Sequence, residues 1–269
     1  MSSMRREWFH NPLERLLQDE QSVSVLQRHW TNPKREEEGS TMRFVTSLFT
    51  PTKPMPHSSG IYDAEWANKL YRGCKRNTSD PDNFSFAVVT DFPPEDFDQG
   101  IEVFPYKYAA RNWTSNMERY RPDVVGKEAI LLDLDTLIIG SLEPVEKACK
   151  GVGCVALLDP YNAPETICTA AYVNAEVAEE LWGLWVKEKD SIIDNPKYFM
   201  WGFFSEMKWL RENQKYDRLW DIECPKVIQS WKVNLDRKDP GEGVAVVYWH
   251  GQEKPTGLLY KEWVRDNWK

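Results

Sequence analysis

Several large classes of protein are excluded by what the chain lacks. Its five cysteines, Cys74, Cys149, Cys154, Cys168 and Cys224, are odd in number and form no CxxC pair, which argues against a disulfide framework and against a zinc site. No stretch reads as a secretory leader or a membrane span, so the expectation is a cytoplasmic chain with reduced thiols. Positive charge is in short supply. With 34 Lys and Arg against 42 Asp and Glu the formal net charge is −8, which argues against a chain-wide binder of nucleic acid or acidic membrane. An anionic substrate would need a metal ion or a local cluster of Lys and Arg.

What is present is ordinary in bulk and unusual in detail. The 269 residues, 41% apolar and 28% charged, suffice to bury a substantial core. Thirteen tryptophans are many for this length, and most are expected in packing because large aromatics dominate burial. Residues 1–40 carry Leu13, Leu16, Leu17, Val23 and Leu26 at roughly helical spacing before a charged break at Lys34 to Ser40, which predicts a helical, flexible extension. The remainder, 41–269, reads as one domain.

Within it apolar strands alternate with helical patterns. Strands are expected over 43–49, 86–90, 101–104, 154–158, 167–173 and 244–248, and helices over 63–76, 115–121 and 175–189, the last rich in Trp. This order predicts an α/β fold with a mostly parallel central sheet flanked by helices. In such sheets ligands bind beyond the carboxyl ends of the strands. Residues 46–49, Asp91, Asp133, Asp135, Asp159 and His250 all fall at such ends, which predicts one convergent site.

The strongest local signal is an apolar strand, Ala129 to Leu132, that runs into Asp133 and Asp135 and resumes at Leu137. On a strand, residues i and i+2 share a face about 7 Å apart, so both carboxylates can reach one cation. Without partners they would be costly to bury. Either a divalent metal holding a phosphate or a phosphatase nucleophile could account for the pair. The phosphatase pattern DxDGT is not met, because Thr136 comes one position early and no glycine precedes it. That motif also opens its domain, whereas three expected strands precede the pair here.

The segment from Tyr120 to Asp123 (YRPD), followed by GKEAILLDLDTLIIGSLEP, resembles the glycogenin-like, family 8 type nucleotide-sugar transferases and their bacterial and viral relatives. Tyr248 to Pro255 (YWHGQEKP) is similar to the closing HxGxxKP-type motif of that family. The resemblance spans roughly residues 43–265 and implies a single Rossmann-like GT-A domain. It implies a metal-dependent enzyme that moves a sugar from a UDP or GDP donor to a glycan, glycolipid or protein acceptor, with retention of anomeric configuration. Asp133, Asp135 and His250 would hold the metal, and Lys254 would meet the diphosphate as a point charge. The His adds nitrogen to an oxygen site, which favours manganese, with magnesium also possible. Leu134 and Gly251, inside the two motifs, join the donor-contacting set. The resemblance also places Thr46, Ser47 and Leu48 at the nucleotide, with Tyr62 near the base, and Asp91 near the ribose or base. Asn68 to Gly73 resembles an NRLYRG segment that packs or salt-bridges beside the donor loop.

Two departures stand out. Where relatives carry a phosphate-contacting Lys before the RPD segment, this chain has Asn116, so charge is lost unless Arg111 or Arg119 supplies it. Where relatives carry GDQ, this chain has Ser205, Glu206 and Met207; Glu206 can act as the acid, but Met207 cannot replace the amide. Glu206 and Asp159 are the candidate catalytic carboxylates, and geometry must decide between them. The departures keep open a protein that binds a nucleotide sugar or glycan with weak or no turnover. A sugar nucleotidyltransferase is disfavoured, because residues 50–60 carry prolines instead of a glycine-rich phosphate loop.

Overall fold

The computed structural model describes residues 42–54, 61–108 and 112–269. The expected extension over 1–40, Arg111, and most of the Pro-rich loop over 50–60 lie outside the described residues. Strand β1 (Arg43–Leu48) and helix α1 (Ala64–Asn77) lead to β2 (Ser85–Thr90) and β3 (Ile101–Pro105). A 3-10 helix (Trp113–Tyr120) and the short α2 (Pro122–Val125) follow, then β4 (Glu128–Leu132), β5 (Thr136–Ile138) and α3 (Glu143–Cys149). The second half runs through β6 (Cys154–Leu158), β7 (Thr166–Asn174), α4 (Ala175–Ile192), β8 (Phe199–Met200), β9 (Phe203–Phe204) and α5 (Glu206–Asn213). It ends with β10 (Arg218–Leu219), β11 (Ile228–Ser230) and β12 (Val246–Tyr248), with short helices at Trp220–Glu223 and Glu262–Asn267.

The central sheet has seven strands in the order β10-β6-β7-β4-β1-β2-β3. Strands β3, β2, β1 and β4 are parallel neighbours, and β10 is parallel to β6; β7 alone runs against its two neighbours. The chain builds outward from β1 to β3 and then returns to lay β4 on the other flank of β1. The order therefore reverses between β1 and β4, and a crevice opens beyond their carboxyl ends. Both faces of β1 are covered, so Phe44 packs into one layer with Leu70, Phe86 and Ile130, and Val45 into the other with Ala87, Leu131 and Trp185. Strands sealed on both sides read as the near-continuous apolar runs seen in the sequence.

The helices follow their apolar periodicity. In α1, Trp66, Leu70, Tyr71 and Cys74 form the buried stripe, and the Arg72 guanidinium grips Asp98 at 2.6 and 2.8 Å at the helix edge. In α4, Ala178, Leu181, Trp185 and Ile192 face inward, and the Asn174 side chain caps the helix by accepting the Val177 amide at 2.9 Å. The RPD segment is a structural staple. Arg121 is extended before Pro122, as the residue preceding a proline must be, and this ends the 3-10 helix. Its guanidinium binds the Asp123 carboxylate, Glu118 and the Pro105 carbonyl.

The helix expected over 115–121 is a 3-10 helix that begins at Trp113. Two expectations need correction. The strand expected over 244–248 is confined to Val246–Tyr248 and does not join the central sheet. It forms a separate three-stranded sheet in the order β11-β12-β5. Finally, Asp133 and Asp135 do not lie on a strand. They occupy a turn between β4 and β5, closed by the Thr136 amide on the Asp133 carbonyl at 3.2 Å. The reason is that β5 leaves the central sheet to pair antiparallel with β12, Thr136 opposite Tyr248. Among the described residues no helix is long and apolar enough to cross a membrane.

Candidate functional site

A cavity of about 880 Å³ opens at the reversal between β1 and β4. Ser47 and Leu48 enter its wall from the end of β1, and Asp133, Leu134 and Asp135 from the turn after β4. Two residues beyond Tyr248, the pairing of β5 with β12 delivers His250, and then Gly251 and Lys254. Gly251 has φ +71, with open space where a Cβ would sit. Glycine is therefore required there for its backbone and not for lack of room. The turn it makes returns Lys254 to Asp135, 119 residues away in the chain.

The two aspartates diverge from one another. Asp133 accepts a hydrogen bond from Arg119 Nη1 at 2.8 Å, and Arg119 is itself 1% exposed. Asp135 is buried and ion-paired with the buried Lys254, and also accepts a 3.0 Å hydrogen bond from the Tyr62 hydroxyl. Lys254 lies 5.5 Å above the Tyr62 ring, a cation–π contact. Burial raises the Asp133 carboxyl pKa, with Arg119 opposing and Asp135 adding to the rise. His250 stands between the rings of Tyr161 and Tyr248, at 5.2 and 5.0 Å between centroids. Burial lowers its pKa and keeps the imidazole neutral, and its Nε2 is buried with no hydrogen-bond partner.

A second group of residues is organised by the 3-10 helix. With three residues per turn, Trp113, Asn116 and Arg119 eclipse one another on one side. Arg119 reaches Asp133, and Asn116 links two strands' ends. Its Oδ1 accepts the Ser47 hydroxyl at 2.7 Å, and its Nδ2 donates to Glu206 Oε1 at 2.6 Å. Glu206 opens α5, and the Cys168 thiol also donates to its Oε1, at 3.7 Å. Burial pushes the Glu206 carboxyl up to about 7 against the pull of the Asn116 hydrogen bond, with nearby Asp133 reinforcing the rise. Glu206 can therefore exchange a proton near neutrality. Asp159 also lines the cavity, but its carboxylate is taken up by Arg211 Nη2 at 2.5 Å and the Tyr161 amide at 2.8 Å.

Two sequence candidates fall outside the cavity wall. Thr46 is fully buried with no partner for its hydroxyl, because its neighbour Ser47 takes the cavity-facing position. Asp91 instead accepts the Thr50 amide at 3.0 Å and ties down the loop after β1. Among the lining residues that the sequence did not single out are Trp113 and Trp201. The signals were present. Trp113, Asn116 and Arg119 recur at intervals of three, and Trp201 and Gly202 separate apolar pairs as a two-residue hairpin loop does. Most other described tryptophans serve packing, among them Trp66, Trp185, Trp209 and Trp220.

Among the described residues, no three His, Cys, Asp or Glu side chains are gathered as a metal site. The individual donors nonetheless suit one: two carboxylates and a neutral imidazole with an orphaned nitrogen share one cavity wall. Asp135 is paired with Lys254, and Asp133 with Arg119.

No protein-family model matches the sequence, and no curated protein matches it. Solved structures do. The glycosyltransferase GlyE of Streptococcus pneumoniae TIGR4 superposes with a TM-score of 0.55 at 15% identity, covering 86% of this chain and 63% of that one. The chain thus spans less than two thirds of that protein. The galactosyltransferase LgtC, solved with donor and acceptor sugar analogues, superposes with a TM-score of 0.54 at 10% identity, covering 80% of this chain and 89% of its own. An active-site mutant of LgtC that replaces a Gln by Glu gives 0.51. At these identities the likeness is one of architecture, and the chain has the GT-A-like α/β fold of these glycosyltransferases.

Proposed function

We propose that the protein is a glycosyltransferase that moves a sugar from a nucleoside-diphosphate donor, UDP- or GDP-linked, to an acceptor hydroxyl. The observation that carries this reading is the meeting of Asp133, Asp135, His250 and Lys254 in one cavity, at the sheet reversal of a fold shared with glycosyltransferases. Asp133, Asp135 and His250 would hold manganese or magnesium, which supplies charge neutralisation to the departing diphosphate. Lys254, released from Asp135, turns its ammonium to the diphosphate. Arg119 holds Asp133 in place from behind. Ser47 and Leu48 line the nucleotide end, and Asn116 fixes the orientation of Glu206 towards the transferring sugar. In transfer with retention, the bond from the anomeric carbon to the diphosphate breaks. The acceptor oxygen bonds to that carbon on the same face, and its proton passes to the departing phosphate. Asp159, already paired with Arg211, shapes the cavity instead of acting as a base.

The test is a titration of manganese with a panel of UDP- and GDP-sugars, followed by donor hydrolysis, in the wild type and in Asp135→Ala. The expected result is metal-dependent donor binding and turnover that the substitution abolishes. No binding or hydrolysis across the panel, together with no effect of the substitution, would sink the reading. A second reading, a nucleotide-sugar binder without turnover, draws on Met207 in place of an amide and on the closed Asp135–Lys254 pair. Donor binding without hydrolysis or transfer would select it.

A further inference from the structure

Of the large apolar residues that stand exposed among the described ones, two line the cavity, Tyr161 and Trp201. Tyr161 packs on His250. Trp201 packs on Trp113 and is still 61% exposed, the more open of the two. It sits at the tip of the β8–β9 hairpin with φ +50, followed by Gly202 with φ +84. Both values belong to the mirror-image hairpin turn that Asn-Gly sequences satisfy, and they burden any bulkier residue. A large aromatic held exposed in that conformation calls for a use outside folding.

Its surroundings identify the use. The Trp201 ring lies 5.9 Å from Trp113 at an interplanar angle of 56°, and both line the cavity beside Met200. Phe203, outside the cavity wall, props Trp113 edge-on at 6.0 Å. Polar groups line the same cavity: Asn116, one 3-10 turn from Trp113, and Glu206, to which Asn116 donates. Aromatic faces beside an amide and a carboxyl match one ligand chemistry closely. A pyranose ring presents C–H groups on its faces and hydroxyls at its edge, whereas a lipid tail would leave Asn116 and Glu206 facing hydrocarbon. The net charge of −8 and the Glu206 carboxyl favour a neutral sugar over an anionic one.

We propose that Trp201 and Trp113 form the acceptor subsite, and that the acceptor presents a neutral pyranoside ring to it. This rests on the glycosyl-transfer reading for the word acceptor, but the binding site can be tested alone. Saturation-transfer NMR of the full chain with methyl β-glucopyranoside, methyl β-galactopyranoside and methyl α-mannopyranoside, with and without manganese and UDP or GDP, is expected to show contact at ring C–H protons. Trp201→Ala should weaken that binding about tenfold or more, and Trp201→Phe, which keeps an aromatic face, should recover much of it. Trp201→Asn should also lose binding yet raise the thermal midpoint, because Asn suits the turn, so a folding defect cannot imitate the result. Absence of pyranoside contact in the wild type, equal binding by all variants, or preference for an octyl chain over the sugars would overturn the inference. Nucleotide-sugar binding by the wild type is measured in parallel. A protein that binds donor but shows no sugar at Trp201 refutes the subsite alone, and one that binds pyranosides but no donor refutes the transferase reading alone.

Discussion

Where Asp133 and Asp135 line the cavity, each negative charge already has a buried cation against it, Arg119 on one and Lys254 on the other. Where Trp113 and Trp201 line it, ring meets ring, and the carboxyl beside them, Glu206, has the amide of Asn116 and the Cys168 thiol as its side-chain hydrogen-bond partners among the described residues. The first part is poised by Coulomb attraction, and a ligand reaching Asp135 or Lys254 would have to break their pair. The second is poised by burial, which lifts Glu206 towards neutrality. The two positions at which the sequence departs from the resemblance, Asn116 and the segment holding Glu206, meet here. Asn116 and Glu206 are hydrogen-bonded to each other although 90 residues apart, so an amide does reach the acid. It comes from the 3-10 helix and not from the position of Met207.

This comparison can be broken at either part. The largest effect is expected from Asp135→Ala, which leaves Lys254 buried without its anion. Removing one partner of such a pair costs on the order of 3–5 kcal/mol, read as a lower urea midpoint, and Lys254→Met in the same chain should restore part of it. A variant as stable as the wild type would show that Lys254 finds water instead.

Next is the pH dependence carried by Glu206. Its folded pKa is raised, from 4.5 to about 7, so its contribution is fully present below pH 4.5 and is lost as the pH rises through about 7. The shift corresponds to about 3–4 kcal/mol between those limits. Urea melts across that window should show Glu206→Gln losing this slope, and an unaltered profile would mean that the carboxyl is ionised in the fold throughout.

Asn116→Ala removes the amide that joins Ser47 to Glu206, with an expected loss of about 1–2 kcal/mol and a further upward move of the Glu206 pKa. Asn116→Lys sharpens the comparison by giving this part a cation like those at Asp133 and Asp135, and the Glu206 pKa should then fall. Side-chain carboxyl NMR reads both; a rise in the lysine variant would contradict the geometry. The smallest effect is expected at Asp91→Ala, outside the cavity wall, within about 0.5 kcal/mol by thermal denaturation.

Much of this was legible in the chain, and the reasons are local. Helices α1 and α4 declare themselves by apolar periodicity, and the parallel strands by apolar runs, because each pattern reflects nearby residues sharing a face. The DLD turn and Tyr248 to Pro255 were visible as motifs. Their geometry was not, since Asp135 is turned towards Lys254 by the non-local pairing of β5 with β12. Thr46 lies one residue short of the cavity wall, which begins at Ser47, and counting residues to the strand end does not reveal where the wall begins.

The sequence by itself determined the α/β class and the mostly parallel order, because periodicity is a property of short segments; strand ends marked the carboxylates and the imidazole, and the lysine entered only through the resemblance carried by Tyr248 to Pro255. Only the tertiary structure decided that Asp133 and Asp135 have different partners, that Asp159 is consumed by Arg211, that Asn116 serves Glu206, and that Trp201 stands exposed over the same cavity. Charge pairing, burial and ring contact depend on residues brought together from distant parts of the chain, and no local pattern encodes which distant group will arrive.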